Sequence, residues 1–257
     1  MGIAEQHAVT FSAGLAASGL LPVFAVYSSF LQRAYDQVLH DASIERAHVV
    51  LAVDRAGVVG EDGETHQGLF DVAFLSTIPG MAIYSPSNYE ELAACLERAL
   101  FEEDGPVAVR YPRGGQSLAS YTPSFSHRDY EIVGDPDCPV VLAGYGRLFY
   151  ELLGAMRLLA KRGVSVAVLK LRKVLPVQPD ALDFLASRRR VIFLEEGIKS
   201  GGVGEQVGCN LLERGFAGRY TLRAVDNQFV GQASVPRSLE SLGLTAKPIA
   251  EFVMRER

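Results

Sequence analysis

The sequence predicts an α/β fold of two domains, each a mostly parallel β-sheet flanked by helices. Apolar runs of strand length alternate with segments of helical periodicity, a pattern typical of parallel sheets covered by helices on both faces. The alternation stops between residues 113 and 137, where Pro, Ser, Gly and Asp occur without clear periodicity. We therefore predict a first domain over 1–115, a linker over 116–137 and a second domain over 138–257.

The first domain is predicted to begin with a helix over residues 6–18 that ends at Gly19, a plausible C-cap. Ser29 is expected to cap the next helix, and Ser87 with Glu90 is expected to form a capping box for a later one. The remaining predicted elements are a buried strand over 22–27, a helix over 29–44, a central strand over 48–53, a Gly-rich loop over 55–68, a short helix, a strand over 81–85, a helix from Asn88 and a strand over 107–110.

The second domain repeats the alternation after one short strand expected at residues 130–133. Its apolar runs and periodic segments predict four further strands and four helices. The strands are expected near 139–143, 164–169, 191–195 and 220–225, and the helices near 147–162, 178–187, 203–214 and 234–241.

Composition excludes several classes of protein. The 257 residues carry a net charge of −5 without long like-charge runs, which argues against a nucleic-acid binder. Three separated cysteines without a CxxC pair argue against a disulfide scaffold or a zinc site and fit a cytoplasmic protein. The uncharged stretch over 11–31 is interrupted by Gly14, Gly19 and Pro22, so a buried helix and strand are expected there rather than a membrane span.

The polar loops that follow the strands of the first domain are the candidate site. Because chemistry in open α/β sheets lies at the carboxyl ends of strands, the loops at 27–30, 54–66 and 110–113 should converge at one edge. The loop over 55–68 combines four glycines with Asp62 and His66, which are acid–base groups. An ordinary mobile surface loop is the alternative interpretation of this segment.

Two further positions are candidates for chemistry. Glu5 lies in an almost uncharged segment, so it is either a buried carboxylate with a proton-sharing role or an exposed acid at a helix start. Arg110 and Arg113 at a strand exit suit a phosphate or carboxylate, although a salt bridge at the domain edge fits equally well. The glycines of 144–147 and 201–204 are interpreted as a packing turn and a structural helix start.

Four segments together resemble the 1-deoxy-D-xylulose-5-phosphate synthase family of thiamine-diphosphate enzymes. They are Gly2-Ile-Ala-Glu-Gln-His-Ala-Val-Thr-Phe11, the Tyr27-Ser-Ser-Phe run to Asp41, Asp54-Arg-Ala-Gly57 through Thr65-His-Gln-Gly68, and Arg110-Tyr-Pro-Arg-Gly114. The resemblance over 1–115 is specific, and that of 138–257 to a transketolase C-terminal domain is looser. It implies a pyrimidine-binding fold followed by a transketolase C-terminal fold.

The resemblance also implies the chemistry and the residue roles. Glu5 would hydrogen-bond the aminopyrimidine of thiamine diphosphate, and Phe30 would stack on that ring. Tyr27, Arg33, Asp62 and His66 would surround the pyruvate-derived unit, and Arg55 and Arg113 would bind the phosphate of D-glyceraldehyde 3-phosphate. The implied reaction joins pyruvate to this aldehyde with loss of CO2, for isoprenoid and thiamine biosynthesis.

The resemblance implies partners as well. The Mg²⁺ and diphosphate ligands of the family lie on an N-terminal half, whose Gly-Asp-Gly motif is not found in this sequence, so no metal ligand is expected here. The chain is therefore expected to be N-terminally truncated or split, inactive without that half, and homodimeric, with an exposed sheet edge unless a partner covers it. The alternatives are the C-terminal subunit of a transketolase-like or 2-oxo acid dehydrogenase complex, and a non-catalytic dimerisation module.

Overall fold

The computed structural model describes residues 3–116 and 128–255, so Gly2 of the first motif and residues 117–127 of the predicted linker lie outside the described residues. The strands are β1 Val23–Tyr27, β2 Val50–Asp54, β3 Ala82–Tyr84, β4 Val107–Arg110, β5 Tyr130–Val133, β6 Val140–Tyr145, β7 Ala167–Leu171, β8 Lys173–Leu175, β9 Arg190–Ile198 and β10 Arg219–Val225. The helices are α1 Glu5–Ala17, α2 Ser28–Leu31, α3 Tyr35–Gln37, α4 Asp71–Leu75, α5 Tyr89–Phe101, α6 Leu148–Ala160, α7 Pro179–Ala186, α8 Val203–Glu213, α9 Val235–Ser241 and α10 Ala246–Arg255.

These elements form two five-stranded sheets, and the predicted fold class is confirmed. The first sheet has the strand order β1-β2-β4-β3-β8 and the second has the order β10-β9-β6-β7-β5. All neighbouring strands run parallel except β5 beside β7 and β8 beside β3. Strand β8 follows second-domain strands in sequence but pairs with β3, so it ties the first sheet to the second domain.

The sequence prediction of α1 agrees with the structure, whereas that of β1 needs correction. Helix α1 ends where Gly19 adopts φ +83°, a left-handed conformation that glycine reaches at little cost. Strand β1 is not buried as predicted: it is the edge strand, and Val23 keeps about half of its surface exposed. An apolar run cannot show whether a strand has one neighbour or two.

Two predicted helix caps were wrong. The helical stretch that starts at Ser28 follows the extended Tyr27, so Ser29 lies inside the first turn instead of capping it. The predicted single helix is also divided, because α3 ends at Gln37 and a π-helical segment follows over Val38–Ile44. Helix α5 is capped by Asn88, whose side chain accepts the Glu91 N–H at 2.8 Å. Glu91, not Glu90, reaches back to the Ser87 N–H at 2.9 Å, so the capping pattern is shifted by one residue.

Two elements were not predicted. Strand β8 has three residues, and helix α10 near the C-terminus packs its buried Ile249, Ala250 and Val253 into the second-domain core with α6. Among the described residues, no helix combines the length and the apolar character that crossing a membrane requires.

Candidate functional site

The three predicted loops all leave the first sheet at the carboxyl ends of its strands. In the parallel register, Tyr27 at the end of β1 lies beside Asp54 at the end of β2, and Val53 lies beside Arg110 at the end of β4. The carboxyl ends of these strands therefore meet, as the parallel-sheet rule requires. Backbone pairing alone therefore places the side chains that follow these strands at the same end of the sheet.

A groove of about 510 Å³ opens beside β1 and the start of α1. Glu5, Tyr27 and Phe30 line it together with small and apolar residues that include Ala8 and Phe24. Glu5 is buried, with 8% of its surface exposed, and its Oε2 has no hydrogen-bond partner among the described residues. Burying a carboxylate oxygen without a partner is costly, so this atom is available to a donor from a bound molecule.

Aromatic rings and guanidinium groups lie in contact with one another at this groove. The Tyr27 and Phe30 rings stack with centroids 5.3 Å apart, and the His66 ring meets Phe30 edge-on at 5.3 Å. The Arg55 guanidinium carbon lies 3.8 Å from the centre of the Tyr27 ring, and that of Arg33 lies 6.0 Å from the centre of Phe30. Such contacts orient cations over ring faces and fix the rings in place.

Asp62 connects the two arginines that sequence analysis assigned to a phosphate. Its Oδ1 accepts from Arg113 Nη1 at 2.6 Å, and its Oδ2 lies 3.5 Å from Arg55 Nε. Arg55 has φ +60°, which is uncommon for a non-glycine residue, and Asp54 accepts from both its backbone N–H and its guanidinium. Both arginines also line a second cavity of about 370 Å³ between the β3–α5 turn and the segment after β4.

The structure thus brings together eight of the nine candidate site residues at one edge, in two linked groups. Glu5, Tyr27 and Phe30 line the groove, and Arg33, Arg55, Asp62, His66 and Arg113 are joined to it through the ring and ion-pair contacts above. Arg110 does not join them. It is buried and paired with Asp71, Nε to Oδ2 at 2.9 Å, so the salt-bridge alternative applies to Arg110. Arg113 is also ion-paired, with Asp62, but it is more exposed and lines the second cavity.

Comparisons with known proteins identify both halves of the chain. Residues 1–116 match the transketolase pyrimidine-binding domain, and residues 130–249 match the transketolase C-terminal domain. The chain carries these two domains of the transketolase family. Its Glu5 groove lies in the pyrimidine-binding domain of that family.

Curated relatives confirm the resemblance drawn from the motifs. The 1-deoxy-D-xylulose-5-phosphate synthases of Crocosphaera subtropica and Treponema pallidum are each 41% identical to this chain, over 98% and 97% of its length. That of Lachnoclostridium phytofermentans is 39% identical over the whole chain. The chain spans about 40% of the length of the curated relatives it matches.

Solved structures agree on the fold. A split-gene transketolase, described as an inactive beta4 tetramer, superposes with a TM-score of 0.87 at 24% identity, covering 99% of this chain and 82% of that one. Transketolase from Campylobacter jejuni superposes with a TM-score of 0.78 at 16% identity, covering 96% of this chain and 38% of that one. At these identities the likeness establishes the fold.

The transketolase C-terminal domain contributes contacts that sequence analysis missed. The Arg147 guanidinium donates to the Glu196 carboxylate, Nε to Oε2 at 2.8 Å, and to the backbone carbonyl of Val58 in the 55–68 loop. Gly144 lies in strand β6, where a Cβ would lie 2.7 Å from the Leu194 carbonyl, and the predicted turn is formed by Gly146 and Arg147. In the sequence, the signal for the Arg147–Glu196 contact is the pair of adjacent acids Glu195-Glu196 near the end of a predicted strand. This pattern indicates a polar site but does not identify the partner of Glu196.

Gly201 and Gly202 precede α8, and Gly204 lies in its first turn. The anion at this helix start is a side chain of the protein itself. The buried Glu195 carboxylate accepts from the N–H groups of Val203 and Gly204, each at 3.0 Å. Burial raises the pKa of Glu195 to about 7, while hydrogen bonds from Tyr145 and from the two backbone N–H groups act in the opposite direction. The predicted structural role of this segment therefore agrees with the contacts.

The described part of the chain, residues 3–116 and 128–255, holds no group of three or more His, Cys, Asp or Glu side chains arranged to bind a metal.

Proposed function

We propose that this chain forms the pyrimidine side of a thiamine-diphosphate-dependent synthase that condenses pyruvate with D-glyceraldehyde 3-phosphate. The product is 1-deoxy-D-xylulose 5-phosphate, and CO2 is lost. The observation that carries the proposal is the buried Glu5 carboxylate, whose Oε2 lacks a partner among the described residues and faces a groove lined by Tyr27 and Phe30. The names of the curated relatives, at about 40% identity, support it.

The residues of the groove fit the pyrimidine of thiamine diphosphate. An acceptor oxygen buried beside aromatic rings suits a flat heterocycle that carries a donor at its edge, and a groove of about 510 Å³ has room for it. When bound, thiamine diphosphate supplies the carbanion chemistry of the reaction. Glu5 would hold a proton between its Oε2 and a ring nitrogen, and Phe30 would orient the ring by stacking.

The remaining site residues fit the two substrates. His66 contacts the Phe30 ring, and Asp62 is joined to the Tyr27 ring through Arg55, so we assign these two acid–base groups to proton transfers on the pyruvate-derived unit. Tyr27 and Arg33 would bind the same unit. Arg55 and Arg113 would bind the phosphate of the aldehyde. Two guanidinium groups match the two charges of a phosphate dianion, whereas the Asp62 carboxylate that they share carries only one charge.

The proposal includes partners that complete the site. We infer that Mg²⁺ and the diphosphate are bound by a separate diphosphate-binding half or subunit. We also infer that the assembly is a cytoplasmic homodimer. The edge position of β1 and the exposed Phe11, Leu20 and Val23 support a protein partner beside the groove, since apolar side chains at an open sheet edge favour association.

An assay of the chain combined with a diphosphate-binding half, thiamine diphosphate and Mg²⁺ tests the proposal. We expect CO2 release from pyruvate coupled to glyceraldehyde 3-phosphate, and loss of this activity in Glu5→Ala. Turnover with sugar-phosphate donors but not with pyruvate would instead indicate a transketolase. Unchanged activity in Glu5→Ala would show that the role assigned to Glu5 is wrong.

A further inference from the structure

The loop that carries Asp62 and His66 is attached to the second domain through the backbone of one residue. Val58 is fully buried; its N–H donates to Glu196 Oε1 at 2.6 Å, and its carbonyl accepts from Arg147 Nη2 at 2.5 Å. Arg147 and Glu196 are themselves ion-paired. A charged pair of the C-terminal domain therefore binds both backbone polar groups of one residue, Val58, in the pyrimidine-binding domain.

Two glycines of the loop permit this close approach. Gly57 has φ +80°, and a Cβ on it would lie 2.6 Å from the Glu196 carboxyl carbon. Gly60 has φ +71°, and its Cβ would lie 2.9 Å from the Ala233 carbonyl oxygen and from the Val235 nitrogen. Since real side chains do not tolerate such distances, the loop can pack against the second domain only with glycine at both positions.

Two glutamines attach the remainder of the loop. Gln67 accepts from the Val59 N–H at 2.8 Å and donates to the Val230 carbonyl at 3.2 Å. Gln232 of the second domain donates to the Glu61 carbonyl at 2.9 Å. The second domain thus contacts the loop on the N-terminal side of Asp62 and, through Gln67, directly after His66.

We propose that Arg147 and Glu196 are positioning residues that set the location of Asp62 and His66 for the reaction. This inference rests on the proposed function, because Asp62 and His66 are reaction groups only under that proposal. Asp62 itself is restrained by partly exposed pairs with Arg113 and Arg55, and such pairs fix side chains weakly. The buried attachment at Val58 is the stronger restraint, and a displacement of about 1 Å at a reacting group can lower the rate about 10²-fold.

Hydrogen exchange on the chain itself tests the attachment without any assay of activity. In Arg147→Met and in Glu196→Gln, we expect the amides of Val58 and of the rest of the 57–68 loop to exchange faster, while those of α5 and α6 keep their wild-type rates. Arg214→Met is the matched control, because it removes an exposed pair with Asp183 in the same domain. Wild-type protection of Val58 in both variants would overturn the inference, as would a uniform increase across the second domain.

Kinetics of the enzyme completed with its diphosphate-binding half test the consequence. We expect kcat to fall about ten- to a hundredfold in either variant with little change in the KM for pyruvate. The double variant should lose little more than either single one, because both changes remove the same restraint. A wild-type kcat, or a change confined to KM, would overturn the positioning role.

The two experiments separate the possible failures. If the completed wild-type enzyme does not turn over pyruvate, the proposed function is wrong. The exchange data would still decide whether Arg147 and Glu196 hold the loop. If Glu196→Gln does not fold, Arg147→Lys gives the same readouts. It keeps the charge but loses the forked contact to Glu196 and Val58, so the same changes, smaller in size, are expected.

Discussion

Two of the carboxylates that the pyrimidine-binding domain buries, Glu5 and Glu91, have opposite surroundings. Glu5 has 8% of its surface exposed, and its Oε2 has no partner among the described residues. Glu91 is 1% exposed and accepts hydrogen bonds from Ser87, Lys170 and Arg172. Burial alone is therefore not informative about function. The number of partners distinguishes a carboxylate that stabilises the fold from one that is available to a ligand.

The partners of Glu91 form an ion cluster between the two domains, made of Glu91, Glu131, Lys170 and Arg172. Glu131 lies 2.9 Å from Lys170 and 3.2 Å from Arg172, and all four side chains are buried. Two acids face two bases, so the charges of this cluster balance. Glu5 has no corresponding cation among the described residues around it, and a bound molecule would have to supply the donor.

The largest expected effect separates the two carboxylates by activity. Glu5→Gln should lower kcat about 10²- to 10⁴-fold, because under the proposed function it removes a group that takes part in proton transfer. The free energy of unfolding should change by less than about 1 kcal/mol, because the Oε2 that is altered makes no hydrogen bond within the described structure. Steady-state kinetics of the completed enzyme and denaturant unfolding of the chain measure the two quantities. A large loss of stability without loss of kcat would reverse the comparison.

Glu91→Gln should have the opposite outcome. Removing one charge leaves Lys170 buried with less compensation, so the free energy of unfolding should fall by about 3–5 kcal/mol. Once the variant is folded, kcat should be close to that of the wild type, because Glu91 does not line the groove. Denaturant unfolding measures the first effect, and kinetics at low temperature measure the second. A stable variant would mean that the cluster contributes little.

Acid unfolding should reveal the same cluster. Burial alone would raise the pKa of Glu91, but the charge of Lys170 and the hydrogen bonds from Lys170, Ser87 and Arg172 lower it to about 2, from an ordinary value of 4.5. A depressed pKa gives stability that is complete above pH 4.5 and is lost as the pH falls towards 2. The loss should be about 3 kcal/mol, measured by unfolding at several pH values. In Glu91→Gln this part of the acid dependence should disappear.

The sequence predicts the groove better than it predicts the cluster. The apolar runs that end at Tyr27 and Asp54 predict parallel strands, and parallel strands place their carboxyl ends together without knowledge of any side chain. Glu5 is noticeable because its segment is almost free of other charges, but that pattern fits an exposed acid at a helix start as well as a buried carboxylate. The roles of Glu91 and Lys170 depend on a contact between the two domains, and such a contact leaves no local pattern.

The same reasoning explains the errors in the fold. Ser87 with Glu90 and Asn88 with Glu91 have the same spacing, so the sequence permits both caps and the partners of Glu91 decide between them. Strand β8 has too few residues for a periodicity, and only its pairing with β3 makes it a strand. The sequence shows that Glu196 is an acid near a strand end, but its partners, Val58 and Arg147, are known only from the structure.

The smallest expected effect concerns the rim of the groove. Arg113→Met removes an exposed pair with Asp62, so the free energy of unfolding should change by less than about 1 kcal/mol. If Arg113 binds the phosphate of the aldehyde, the KM for glyceraldehyde 3-phosphate should rise about tenfold, equivalent to ~1.4 kcal/mol, and the KM for pyruvate should stay the same. Unphosphorylated glyceraldehyde is the matched control, because its weaker use should not depend on Arg113. Equal losses with both aldehydes would show that Arg113 acts through Asp62 and the loop rather than on the phosphate.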